Sequence, residues 1–184
     1  MLKRVAPALS LVAACWIVFL VNALCFHSGL NQFGIIPRHV QGLIGILWSP
    51  FLHGSLAHLL ANTFPLLLFG CILCLRSRTE FSVVTAGGIL LGGLLTWAIA
   101  RPACHIGASG LVFCYFGYLA SLALFRRTIG TFLLSVIVLI GFWGMLRGLV
   151  PTSAAISWEG HVAGLVAGIV LAKSAGAAGG RKAA

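Results

Sequence analysis

An all-α membrane protein with six transmembrane helices is the fold class the sequence predicts, and three observations predict it. The first is composition: 60% of the 184 residues are hydrophobic and only 8% are charged, against about 25% charged in a typical soluble domain. With a mean hydropathy of +1.10 in a 19.3 kDa chain, there is more apolar surface than a small globule can bury, because such a domain leaves roughly a third of its surface in water. The second is a series of six apolar runs, each close to the ~20 residues a helix needs to cross the hydrocarbon layer. The third is the distribution of positive charge along those runs.

The predicted spans are Ala8–Phe26, Ser55–Leu75, Phe81–Ala100, Gly107–Phe125, Gly130–Leu146 and Gly160–Ala172. Lys3 and Arg4 before the first run, with Val12-Ala13-Ala14-Cys15 inside it, give the look of a signal peptide. The apolar stretch continues to Phe26, too long for a signal h-region, so the first run reads as an uncleaved helix. The segment 27–52 is the longest without a span. Its apolar Gly42–Trp48 ends at Ser49-Pro50 and predicts a short helix or hairpin in the outer interface, with Trp48 at headgroup level. The second to sixth spans follow in short succession without a linker or repeat, so residues 1–173 form one domain. The Ala, Gly and basic composition of 174–184 predicts a disordered tail.

Six spans starting inside place Lys3, Arg4, Arg76, Arg78, Arg126, Arg127, Lys173, Arg181 and Lys182 on the cytoplasmic side, leaving Arg38, Arg101 and Arg147 outside. This asymmetry puts both termini in the cytoplasm. It also accounts for the formal net charge of +10 without nucleic acid. Only Glu80 and Glu159 are acidic, and Asp is absent. An aspartyl protease pair and a carboxylate cage for Mg²⁺ or Ca²⁺ are excluded. Cys71 and Cys74 form a CxxC inside an apolar run, with no second pair, and read as packing. No metal or cofactor is implied, and a haem carrier would need ligands facing each other at mid-membrane. The chemistry falls to Ser, His and Asn.

On this topology all six histidines lie in outer loops or at the outer ends of helices, and polar groups at membrane depth mark function. Three clusters stand out. His58 and Asn62, in His53-Gly-Ser-Leu-Ala-His58-Leu-Leu-Ala-Asn62, are spaced i, i+4 on one helix face. Gly107-Ala108-Ser109-Gly110 opens the fourth span with a serine among small residues, as in a nucleophile elbow. Gly160-His161-Val-Ala-Gly164-Leu-Val-Ala-Gly168 opens the sixth, with a GxxxG that admits a neighbouring backbone and a histidine on the same face. At 1.5 Å per residue, Ser109 stands about 25 Å above the inner boundary at Arg126, and His161 about 18 Å above Lys173. Three spans thus deliver Ser, His, His and Asn to one shallow outer layer.

Taken in this order, HGSLAHLLAN, GASG and GHVAGLVAG resemble the rhomboid intramembrane serine proteases over Pro50–Gly168. The resemblance implies a rhomboid-like bundle in its minimal six-helix form, with Ser109 as nucleophile and His161 as general base. It also implies an oxyanion hole formed by His58, Asn62 and the Ser109 amide. Phe113 matches an aromatic position packed on the catalytic histidine, and Gly107, Gly110, Gly164 and Gly168 match supporting positions. The Trp-Arg pair of the family's first loop and the Glu at the end of its second helix are absent. The implied activity is hydrolysis of peptide bonds in or near transmembrane segments of membrane proteins. The implied location is a bacterial cytoplasmic membrane, with the bilayer and transmembrane substrates as partners. The alternative is a catalytically inactive relative that binds membrane proteins. With no Asp present, and Glu159 two residues before His161 and so on another helix face, the imidazole must be oriented by packing, with Phe113 and Gly164 the candidates.

Overall fold

The computed structural model describes residues 2–153 and 156–180. Its long helices are α1 (Leu2–Cys25), α2 (Leu56–Arg76), α3 (Arg78–Ile99), α4 (Ser109–Arg126), α5 (Ile129–Gly141) and α6 (Trp158–Gly180). Among the described residues there is no strand, only one antiparallel bridge between Ile35 and His105. Five of these helices are long and apolar enough to cross a membrane, and there are six when α5 and the segment bent away from it are taken together as one span. The chain is therefore an integral, multi-pass membrane protein.

The apolar side chains sort accordingly. Phe132, Leu133, Ile137 and Ile140 of α5 and Ile17, Leu20 and Leu24 of α1 are exposed, as lipid-facing residues are. The interior is organised on α4, where Leu111 to Leu119 form an unbroken buried stretch. A helix buried all round is a central one. Against it lies α6, and the contact surface is the expected GxxxG. A methyl group at Gly164 would run into the carbonyl of Gly110, and one at Gly168 into the carbonyl of Cys114. Gly117 of α4 returns the fit, its backbone lying close beneath the carbonyl of Leu165. Only residues without a Cβ allow two helix backbones this close.

Two boundaries differ from the expectation. The fifth span is not a continuous helix over Gly130–Leu146: α5 ends at Gly141, and the chain bends by 66° into a 3-10 helix over Trp143–Leu149. Phe142 leaves the helical region at φ −122° and ψ 23°, and Gly141, Gly144 and Gly148 lower the local cost of abandoning the helix. The sixth helix does not stop near Ala172. It continues through Gly180, because the alanines that looked featureless are good helix formers. Ala175 packs on the core, and a methyl group at Gly176 would lie 2.8 Å from Cβ of Phe125. The expected disordered tail is thereby corrected for residues 174–180, while 181–184 lie outside the described residues.

The outer segment between α1 and α2 carries the expected short apolar helix, over Val40–Phe51, with Trp48 about half exposed. At the inner end, Glu80 in the first turn of α3 accepts from the Tyr118 hydroxyl at 2.6 Å and from Arg76 Nε at 3.2 Å. This tie joins α2, α3 and α4 where the sequence reading found no glutamate at the end of α2.

Candidate active site

The Ser55 hydroxyl caps α2, accepting from the N–H of His58 at 3.1 Å. The helix it starts carries Asn62 one turn beyond His58. The Asn62 side chain donates back to the His58 carbonyl at 3.1 Å. An amide has two N–H donors, so this bond fixes the side chain and leaves the second donor for the cavity that Asn62 lines.

The turn before α4 needs a glycine. Gly107 has φ +114°, a conformation that L side chains rarely adopt, and a methyl group there would lie 2.5 Å from the ring of His58. Its N–H is held by the Ser49 carbonyl at 2.8 Å. The next N–H, of Ala108, reaches Nε2 of the buried His53 at 3.4 Å. Ser109 is the first residue of α4, where backbone N–H groups have no partner within the helix.

His161 stands one turn into α6. Its Nε2 is 2.9 Å from Ser109 Oγ, and its Nδ1 is 2.8 Å from the Gly148 carbonyl oxygen. A carbonyl only accepts, so Nδ1 carries the proton and Nε2 is free to accept from the serine hydroxyl. The ring of Phe113 stacks on the imidazole at a centroid distance of 4.3 Å and an interplanar angle of 12°. Gly148 closes the arrangement, since a methyl group there would lie 2.9 Å from Phe113 and 3.1 Å from His161 Nδ1. An open cavity of about 810 Å³ is lined by His58, Asn62, Ser109, Phe113, Gly148 and His161 together. A smaller one of about 50 Å³ lies against Ser109 as well.

The sequence-derived residues thus converge: Ser109, His161, His58, Asn62 and Phe113 share one cavity, Gly107 shapes its edge, and Gly110 with Gly164 and Gly168 sets the α4–α6 approach. His27 and His39 do not join them. Four contributors were not singled out from sequence. Gly148 supplies the carbonyl that orients His161, and it becomes available only because the fifth span breaks. His53 is buried, and its imidazole pKa is lowered to about 4, first by burial and then by the neighbouring His58. Its place five residues before His58 was a usable signal. His105 and Ser157 form a second bonded pair, with Nδ1 2.6 Å from Oγ. Glu159 pairs with Arg101 Nη1 at 2.9 Å, while the His161 ring bonds to Ser109 and Gly148.

A protein-family model of the rhomboid domain matches residues 40–177. The chain belongs to the rhomboid family. It is 38% identical to the uncharacterized protein Rv1337 of Mycobacterium tuberculosis over 173 residues, covering 89% of this chain and 72% of that one. To ML1171 of Mycobacterium leprae, also uncharacterized, the identity is 36% over 173 residues, 89% of this chain and 68% of the other. The candidate rhomboid protease YdcA of Bacillus subtilis is 28% identical over 172 residues, 89% and 83% of the two chains. The rhomboid match spans α2 to α6 and so includes every residue of the site.

Proposed function

We propose that this rhomboid is an intramembrane serine endopeptidase that cuts membrane proteins in or near their transmembrane segments. The observation that carries the reading is the 2.9 Å approach of Ser109 Oγ to His161 Nε2 at the wall of an open cavity. A serine hydroxyl is a weak nucleophile until a base takes its proton, and imidazole titrates near neutrality. Ser109 Oγ attacks the scissile carbonyl carbon while its proton passes to His161 Nε2. The carbonyl oxygen, now an anion, is met by the Ser109 N–H and by the Asn62 and His58 side chains, each such donor being worth about 3 kcal/mol in a water-poor site. The imidazolium then protonates the leaving amine, and a water activated by the same imidazole hydrolyses the acyl-enzyme. The Gly148 carbonyl and the Phe113 ring take the orienting role that a carboxylate has in a triad.

The substrate must present an extended peptide bond to Ser109, so segments with helix-destabilising Gly or Pro near the cut are favoured. The mycobacterial and Bacillus relatives support a bacterial cytoplasmic membrane, and the charge asymmetry supports both termini inside with cleavage near the outer face. An inactive relative that only binds membrane proteins would have no need of an imidazole held in the accepting tautomer. Labelling of detergent-solubilised protein with a fluorophosphonate tests the reading. Wild type takes up one label on Ser109 and Ser109→Ala takes up none; an unlabelled wild type overturns the assignment.

A further inference from the structure

His105 stands four residues before Ser109, and Ser157 four residues before His161. Their side chains meet, with His105 Nδ1 2.6 Å from Ser157 Oγ. The other ring nitrogen, Nε2, lies 3.0 Å from the Arg101 carbonyl and must donate to it, so Nδ1 accepts from the Ser157 hydroxyl. Each partner is also anchored through its backbone. His105 exchanges both N–H and C=O bonds with Ile35, at 2.9 and 3.0 Å, and the Ser157 carbonyl takes the N–H of His161 itself at 3.1 Å. Segments 105–109 and 157–161 are therefore two rails with a Ser–His rung at each end. One rung is Ser109–His161 and the other is Ser157–His105. Both His105 and Ser157 line the large cavity and the small one, so their bond stands in the partition between them.

We infer that the His105–Ser157 hydrogen bond positions the catalytic pair, holding the rail that carries Ser109 at a fixed distance from the rail that carries His161. The inference rests on the proposed serine-hydrolase reading. Ser157 is the informative site, because it immediately precedes α6 and its carbonyl already holds His161. A loss at its hydroxyl removes the rung without deleting any group of the proposed dyad or oxyanion hole. A misplacement near 1 Å between reacting groups costs about 100-fold in rate, whereas the loss of one hydroxyl already bonded to His105 leaves most of the cavity wall, and so its affinity for a reagent, unchanged.

The test is fluorophosphonate labelling of Ser109, with the maximal rate and the half-saturating reagent concentration measured separately, alongside the melting temperature. Ser157→Ala should lower the maximal rate about 10- to 100-fold and leave the half-saturating concentration within about twofold. Ser157→Thr, which keeps the hydroxyl, should restore the rate to within about threefold. His105→Gln, which keeps one acceptor and one donor, should fall between the two. A Ser157→Ala protein that labels at the wild-type maximal rate overturns the positioning role. So does a loss that threonine does not rescue, or one that tracks a fall in melting temperature. If the wild type itself fails to label on Ser109, the hydrolase reading is what has failed, and the positioning role falls with it.

Discussion

Ser109–His161 and Ser157–His105 are the same chemical unit twice. In each, a serine hydroxyl faces one imidazole nitrogen, at 2.9 and 2.6 Å, while the other nitrogen faces a backbone carbonyl, of Gly148 or Arg101, at 2.8 and 3.0 Å. The shorter bond belongs to the pair with no catalytic role assigned. On the proposed reading, a bonded serine and histidine are not by themselves enough to make a nucleophile. Ser109 differs in what surrounds it: the free N–H of a helix start, the Asn62 amide in the same cavity, and a stacked Phe113 that keeps the imidazole flat against one wall. Ser157 also touches the cavity, but among the described residues no aromatic ring stacks on its His105 as Phe113 does on His161. On the proposed reading, transition-state stabilisation, rather than the proton relay alone, separates the two.

The largest expected effect tests that separation directly. Ser109→Ala and His161→Ala should each reduce cleavage of a model transmembrane substrate to background, and the double variant should be no worse than either single one, because the two act as a unit. Mass spectrometry of fluorophosphonate-treated Ser109→Ala should find Ser157 unmodified. An adduct on Ser157 would erase the distinction between the pairs, and additive losses would argue against a dyad.

Gly168 bears on both pairs, since it sets the approach of the helices from which both rails extend. A valine there would meet the Cys114 carbonyl and Tyr118 N, the latter 2.7 Å from the added Cβ. Gly168→Val should inactivate nearly as fully as a dyad substitution and lower the melting temperature, as read by cleavage assay and thermal denaturation. The control is Gly130→Ala, at a position with nothing within 4 Å of the added methyl, which should change neither. Gly176 cannot serve, because it packs on Phe125. Full activity in Gly168→Val would mean that the α4–α6 contact does not set the dyad distance.

Next in size is the effect at Asn62, the proposed oxyanion donor. Asn62→Ala should reduce turnover by about 10- to 1000-fold with a smaller change in substrate binding, since the donor acts mainly in the transition state. Single-turnover kinetics at saturating enzyme separates the two. A loss confined to binding would make Asn62 a substrate contact.

How much of this was legible in the sequence follows from what each feature depends on. Ser109, His161, His58 and Asn62 were readable because each sits at the start of a span, where helix periodicity and the count to the next charge fix face and depth. The GxxxG was readable because close packing has a spacing. The break in the fifth span was not, because hydropathy counts apolar residues and does not register a 66° bend among them; the Gly148 carbonyl that orients His161 went unseen with it. The Glu80–Tyr118 tie joins residues 38 apart, and His105–Ser157 joins residues 52 apart, distances over which no local pattern operates. The helix beyond Lys173 was missed for a different reason. Its composition suits a disordered tail and an alanine helix equally, and only the Phe125 surface decides between them.

The smallest effect concerns the turn that holds Ser109 but not Ser157. His53 takes the Ala108 N–H on Nε2 at 3.4 Å and lies 3.3 Å from the Phe51 carbonyl through Nδ1. Both contacts suit a neutral ring with its proton on Nδ1, and a protonated ring would turn a donor toward the Ala108 N–H. Burial lowers the His53 pKa from 6.5 to about 4, so the unfolded chain binds this proton more readily than the folded one. Stability from the neutral ring is thus fully present above about pH 6.5, declines as pH falls, and stops declining below about pH 4, with a slope of at most about 1.4 kcal/mol per pH unit. The melting temperature of the wild type should therefore fall between pH 6.5 and 4.5 more steeply than that of His53→Gln, which has no proton to gain. Maximal labelling of Ser109 should drop over the same range, because the turn that presents it is what loosens. Parallel melting curves for the two proteins would show that the Ala108 contact does not depend on the charge of His53.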